Sequence, residues 1–343
     1  MGGASQLFKT DLEGLDRLIR KLRSGGYVVY GPVKQGRSWF FLEIDSVKQV
    51  DLNYVRTVLP PKKLLHPPRE KLFEFKLDDG FEVSEKPTPS AVALFGVHPC
   101  DLKAIERQDE FFSQTPEDPY YLARRRNALI IGLTCTRVDE NCFCLSRGTG
   151  PEVSTGFDIL ITDVGNGYLL EPGSAKGLEL LKSLGFQEAG DEYLEAKQKL
   201  IEELKKSFTK QMPPEGLAEL AKSLLDHEVW KETAERCLSC GNCSLVCPTC
   251  YCFDVYDVLE LNLRSGVRVR ELDSCQLLEY AEVALGGNFR RNRFQRLRHW
   301  MLCKFGVAGG GLYSSCVGCG RCIVYCPANI DLTEVASRLR GGG

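Results

Sequence analysis

At 343 residues the chain is long enough for two domains, each with its own core. With 43% hydrophobic and 26% charged residues and a formal net charge of −2, it has the composition of a globular protein and lacks the basic field of a nucleic-acid binder. No apolar run approaches the roughly eighteen residues that a membrane span needs.

The opening MGGASQLFKTDLEGLDRL lacks the basic-then-apolar pattern of a secretory signal, so the chain is expected in the cytoplasm. Sixteen cysteines are the outlying number. In a reducing compartment, thiols clustered three residues apart read as metal ligands rather than as a disulfide scaffold.

Leu12, Leu15, Leu18 and Leu22 have the spacing of an amphipathic helix, ended by Gly25–Gly26. YVVYGPV and SWFFLEI read as strands around a Gly31–Pro32 turn, and the proline-punctuated stretch to residue 90 reads as irregular. AVALFGV and ALIIGL read as buried strands with a helix between them, and FDILITDVGNGYLLEPG as two more strands. Residues 1–175 are therefore expected to form an α/β domain. From Lys176 the pattern turns helical, giving a connector over 176–214 and a C-terminal domain over 215–343.

That domain holds CLSCGNCSLVCPTC and CVGCGRCIVYCP, each with a C-x2-C-x2-C-x3-C-P run. Three thiols at this spacing wrap one face of a cubane, and in two-cluster proteins the fourth serves the other cluster. Cys237, Cys240, Cys243 and Cys326 are thus expected to hold one [4Fe–4S] cluster, and Cys316, Cys319, Cys322 and Cys247 a second. Zinc sites instead use paired C-x2-C knuckles. The insert between the runs (YDVLELNLRSG, CQLLEYAEVALGG, RNRFQRLRHWMLCKFG) reads as helical. It resembles the all-helical ferredoxin domain in iron–sulfur subunits of fumarate reductases and heterodisulfide reductases. The expected fold is an α/β N-terminal domain followed by an α-helical ferredoxin domain.

Cys100 follows one expected strand, and Cys135, Cys142 and Cys144 follow another. Were those strands parallel neighbours, the four would converge where α/β folds place ligands. Spacing leaves a third cluster, a structural zinc and simply buried thiols all open. Cys250, Cys252, Cys275 and Cys303 fit no tight loop spacing and read as lining the clusters rather than ligating a further one.

FGVHPCD, DPYYLARRR, CTRVDENCFCLSRGTGP, CPTCYCFDV, DSCQ, GGNFR and CVGCGRCIVYCP follow one another in an order that resembles two related families. These are the iron–sulfur β subunit of cytoplasmic NAD(P)-linked [NiFe] hydrogenases, the sulfhydrogenases, and the A subunit of anaerobic sulfite reductases. The resemblance covers about residues 90–335 and departs at Cys303, where the pattern has histidine. It implies several [4Fe–4S] clusters, the third at Cys100, Cys135, Cys142 and Cys144.

No G-x-G-x-x-G follows a strand and no G-x-x-x-x-G-K-[ST] is present, so flavin and nicotinamide are expected on another subunit. No nucleophile–base pair or nickel site appears. RSGVRVR and FRRNRFQRLRHW are read as offsetting cluster charge and docking a partner, and Arg124–Arg126 as a solvated turn. The expected role is electron relay between a flavin/NAD(P)H subunit and a catalytic one, either the hydrogenase small and large subunits or those of a sulfite- or heterodisulfide-reductase-like complex. A nucleic-acid-binding protein with structural metals is the rival from another class.

Overall fold

The computed structural model describes residues 6–77, 80–84, 89–307 and 316–342. In chain order the first part runs β1 (Phe8–Thr10), α1 (Leu12–Ser24), β2 (Val28–Gln35), β3 (Ser38–Glu43), β4 (Arg69–Lys76), β5 (Glu82–Val83), β6 (Val92–Val97), α2 (Pro99–Phe112), α3 (Pro119–Arg126), β7 (Ala128–Leu133), β8 (Ile159–Asp163), β9 (Tyr168–Pro172), α4 (Ala175–Ser183), β10 (Gln187–Glu188) and α5 (Asp191–Lys206). Then come α6 (Leu217–Ser223), α7 (Val229–Arg236), α8 (Asn242–Leu245), β11 (Phe253–Leu259), β12 (Ser265–Leu272), α9 (Arg293–Phe305), α10 (Arg321–Val324) and α11 (Leu332–Leu339).

Eight strands form a mixed sheet of order β10-β1-β9-β8-β7-β6-β2-β3. Its centre, β2, β6, β7 and β8, is parallel. All six residues of β7 are buried, as a strand covered on both faces requires. α1 packs Leu15, Leu18, Ile19 and Leu22 onto the sheet, and its Asp11 cap accepts from the Gly14 N–H at 2.9 Å. The β2–β3 turn falls after Gln35, with β2 running through Gly31–Pro32. β10 adds an edge strand from within the stretch read as a helical connector.

The C-terminal half is not all-helical. Part of the insert between the cysteine runs is a β-hairpin, β11–β12, and β12 pairs antiparallel with β4 in a second sheet of order β11-β12-β4-β5. A further short pair joins Glu282–Val283 to Gly287–Asn288. Only RNRFQRLRHWMLCKFG keeps the helical reading, as α9. A register shift between Arg268 and Val269 interrupts the alternation of β12, so that Arg268 is exposed while Val269 and Arg270 are both buried. Its partner β4 lies in the segment read as irregular.

Charge and aromatic packing fix this sheet to the α/β frame. Arg270 donates to Glu70 from Nε at 2.8 Å and Nη2 at 2.5 Å and pairs with Asp118, while Arg124 holds Glu70 at 2.7 Å. Arg124 and Arg125 are therefore half-buried pairing residues rather than a solvated turn; Arg125 grips Asp109 at 2.9 Å. Arg270→Met should leave Glu70 and Asp118 facing one another around a single arginine, and is expected to cost about 3–5 kcal/mol in anaerobic denaturant unfolding.

His66 lies in the same seam, edge-on to Phe112 at 5.1 Å and Phe253 at 6.2 Å. Neither ring nitrogen has a hydrogen-bond partner among the described residues. Burial, then Lys62, Arg270 and Arg124, push its pKa down to about 2. The folded chain keeps His66 neutral while the unfolded chain protonates it near 6.5. Stability from this residue is therefore complete above about pH 6.5 and falls below it, by about 1.4 kcal/mol per pH unit. His66→Leu should flatten that slope; comparing variant and wild-type unfolding midpoints at each pH cancels the acid sensitivity of other groups.

Candidate metal centres

The two proline-ended runs fold alike. Gly241 and Gly320, at φ +78° and +74°, turn the chain into the single-turn helices α8 and α10, whose first residues flank Cys243 and Cys322. Gly318, at φ +68°, has no room for a side chain, since a Cβ would lie 2.4 Å from the backbone nitrogen of Cys144. The second run thus lies backbone to backbone against the Cys142–Cys144 loop, where the Phe143 N–H donates to Gly318 O at 2.9 Å.

The thiols fall into adjoining groups. Cys237, Cys240, Cys243 and Cys326 line one cavity, which Cys322 of the second run also borders and which Leu297, Trp300 and Ile330 wall. Cys322 stands within the field of Cys316, Cys319 and Cys247. Cys326 thus lies with the first run, while Cys247 stands between the runs, near both Cys243 and the second run's thiols. In the α/β part, β6 and β7 are parallel neighbours, and the chain leaving them carries Cys100 and Cys135. Cys135 adjoins Cys144 and Cys142, and Cys100 adjoins Cys144. Cys319 adjoins Cys100, and Cys247 adjoins Cys243, so the groups border one another.

The donor chemistry suits a multi-iron group. Burial pushes the thiols of Cys100, Cys135, Cys243 and Cys322 up, and that of Cys316 to about 11. Bare thiolates are therefore disfavoured, and a bound cation is what makes their ionisation favourable. N–H donors already aim at sulfur: Ser239 to Cys237 at 3.4 Å, Gly318 to Cys316 at 3.2 Å and Ile330 to Cys326 at 3.3 Å. Among the described residues no three His, Cys, Asp or Glu side chains close around a single ion. Zinc would need its thiolates at about 2.3 Å from one point.

Cations surround these loops, and sequence reading missed most of them. Arg56 donates to Cys319 O at 3.1 Å and Cys142 Sγ at 3.2 Å and pairs with Asp139. Arg147 donates to Cys316 O at 3.0 Å. Arg321, 1% exposed, grips Asp101 through both carboxylate oxygens at 2.7 and 2.8 Å and donates to Thr57 O at 2.8 Å. Arg321 and Asp101 each sit beside an expected ligand, a proximity that could have marked them. Of the arginine-rich insert, Arg296 serves the fold, donating to the carbonyls of Gln276, Arg290 and Arg291.

Residues 236–330 match the family described as a 4Fe-4S dicluster domain, a span holding both proline-ended runs. The chain is an iron–sulfur protein of the electron-transfer class. It is also 40% identical over 338 residues to sulfhydrogenase 2 subunit beta of Pyrococcus furiosus, an alignment spanning 97% of this chain and 98% of that one. The chain belongs to the sulfhydrogenase subunit beta family.

Proposed function

We propose that this chain relays single electrons inside a multi-subunit [NiFe] hydrogenase of the cytoplasm, between a subunit that binds flavin and NAD(P)H and the hydrogenase small and large subunits. Support comes from the likeness to sulfhydrogenase 2 subunit beta along nearly the whole chain. The observation that carries the relay itself is the bordering of three four-cysteine groups in one buried region. Cys237, Cys240, Cys243 and Cys326 form the first ligand set; Cys316, Cys319, Cys322 and Cys247 the second; Cys100, Cys135, Cys142 and Cys144 the third. Clusters bound there would supply one-electron chemistry over a potential range that the protein sets.

The chain's own residues act on those potentials and on access. Arg56 and the backbone N–H groups directed at sulfur favour the more negative, reduced state, while Trp300, Leu297 and Ile330 form the apolar wall of the first set, whose Cys240 faces solvent. Partners have surface to meet: β11 is a sheet edge, and Leu261, Leu285 and Phe289 stand 103%, 107% and 76% exposed. No helix among the described residues is long and apolar enough to cross a membrane.

The test is anaerobic purification through a tag on this chain, followed by identification of the subunits and NAD(P)H titration of the visible spectrum. Bleaching near 400 nm that requires the flavin subunit supports the reading. Co-purification with a sulfite-reducing subunit instead would keep the relay and change its terminus. For the third set, Cys135→Ser should lower iron by about four per chain relative to wild type; unchanged iron would make that set structural.

A further inference from the structure

Four cysteines belong to none of these sets, and the β11–β12 hairpin brings them together. Cys250 and Cys252 are two residues apart in the segment entering β11, the same C-x-C spacing as Cys142 and Cys144. In extended chain this turns both side chains to one side. β11 and β12 are in register from Phe253↔Leu272, and the Asp273 N–H donates to Cys252 O at 3.0 Å. The chain leaving the hairpin therefore returns Cys275 to Cys252, and their thiols hydrogen-bond. Cys303, in the last turn of α9, lies within the field of Cys275 and of Tyr251. Cys250 and Cys275 are buried; Cys252 and Cys303 are partly open.

A second observation is independent of the thiols. Lys304 and Lys62 are 1% and 3% exposed, and neither is paired with a carboxylate among the described residues. Lys304 donates to Thr249 Oγ1 at 3.2 Å and faces Cys247, Cys250 and Cys303. Lys62 donates to the Cys250 carbonyl. Buried ammonium groups need nearby negative charge, and an acid side chain is not what supplies it here. Thiolates around a cubane carry net negative charge and would answer both lysines. Tyr280 adds a hydrogen bond to Cys252, a further donor at sulfur.

We propose that Cys250, Cys252, Cys275 and Cys303 hold an additional [4Fe–4S] cluster, with Lys304 and Lys62 as its buried counter-charges. All sixteen cysteines then fall into four sets of four. The Cys250 thiol bonds that of Cys247, so the new set borders the second set, which already adjoins the first and the third. The second set becomes a junction with three neighbours rather than a link in a line.

The test uses the full chain purified without oxygen in its native complex. Iodoacetamide labelling followed by mass spectrometry reads each cysteine separately. Cys252 and Cys303, the partly open pair, should resist labelling while iron is bound and react once a chelator removes it. Cys275→Ser should lower iron by about four per chain and unmask Cys250, Cys252 and Cys303, with the other twelve cysteines still protected. Labelling of Cys252 and Cys303 in iron-loaded wild type would overturn the proposal. So would a Cys252–Cys275 disulfide, or stoichiometric zinc lost with Cys275→Ser. The wild-type labelling decides the matter even if the variant does not fold. Loss of protection at these four alone sinks this inference; loss at all sixteen sinks the iron–sulfur reading with it.

Discussion

Replacing Arg321 with methionine is expected to destabilise the chain by about 3–5 kcal/mol and to loosen two ligand sets together. The residue sits between Cys319 and Cys322 in the second run, and its guanidinium is buried against Asp101, which follows Cys100 at the start of α2. Removing the cation leaves Asp101, itself 1% exposed, as an unpaired buried charge. The Thr57 carbonyl and hydroxyl lose donors in the same step. Anaerobic denaturant unfolding and iron content are the measurements. The double change Arg321→Met with Asp101→Leu separates charge from packing, because exchanging both members of a buried pair for apolar groups is often close to neutral. If the double variant recovers stability and iron, the loss came from the orphaned carboxylate. A single variant as stable as wild type would mean that this pair does not join the two parts.

The pairs that join the two halves were beyond sequence reading for a common reason. Arg321 and Asp101 are 220 positions apart, and Arg270 and Glu70 are 200 apart. Nothing local to either residue announces its partner. The α/β half was legible because its signals are local: the continuous apolar run of β7 and the 3–4 spacing of α1 each determine one element. That legibility reached the third thiol set, since strands followed at once by cysteines are informative when the strands prove to be neighbours.

The hairpin shows how such reasoning fails. YDVLELNLRSG reads as helical, and with Val255 just before it Val258 and Leu259 have i, i+3, i+4 spacing. In the fold all three are exposed on edge strand β11, so their spacing reports no buried face. What makes the segment a strand is β12 and, behind it, β4, some 190 positions upstream. Tertiary pairing overrode a weak local pattern. The error had a consequence at the site: with the insert helical, Cys252 and Cys275 had no reason to meet, and the four leftover cysteines looked scattered.

Exchanging Cys247 for serine is expected to strip about four irons per chain from the set in the other cysteine run. Cys247 follows Cys243 by four residues, and in a straight assignment it would share that cavity. Yet the cavity of Cys237, Cys240 and Cys243 is lined by Cys326, with Cys322 also at its border, and not by Cys247. The Cys247 thiol adjoins Cys243 but also lies in the field felt by Cys316, Cys319 and Cys322. Its surroundings also differ from those of a solvent-facing ligand. A hydrogen bond from Cys250, then Lys304 and Lys62, hold its pKa well below the ordinary thiol range, and Thr249 Oγ1 is 3.2 Å from the sulfur. Serine keeps the size but is a poor ligand for iron. Iodoacetamide should then reach Cys316, Cys319 and Cys322 while Cys237, Cys240 and Cys243 remain protected. Cys326→Ser should give the mirror image, unmasking the first run and sparing the second. Loss of protection within the mutated run in both variants would establish straight ligation. The proline after each fourth cysteine would give a crossed pattern its cause. Pro248 and Pro327 cannot extend α8 or α10 by a further N–H bond, which under crossed ligation would turn each run away from its own cavity and leave its last thiol for the neighbouring set.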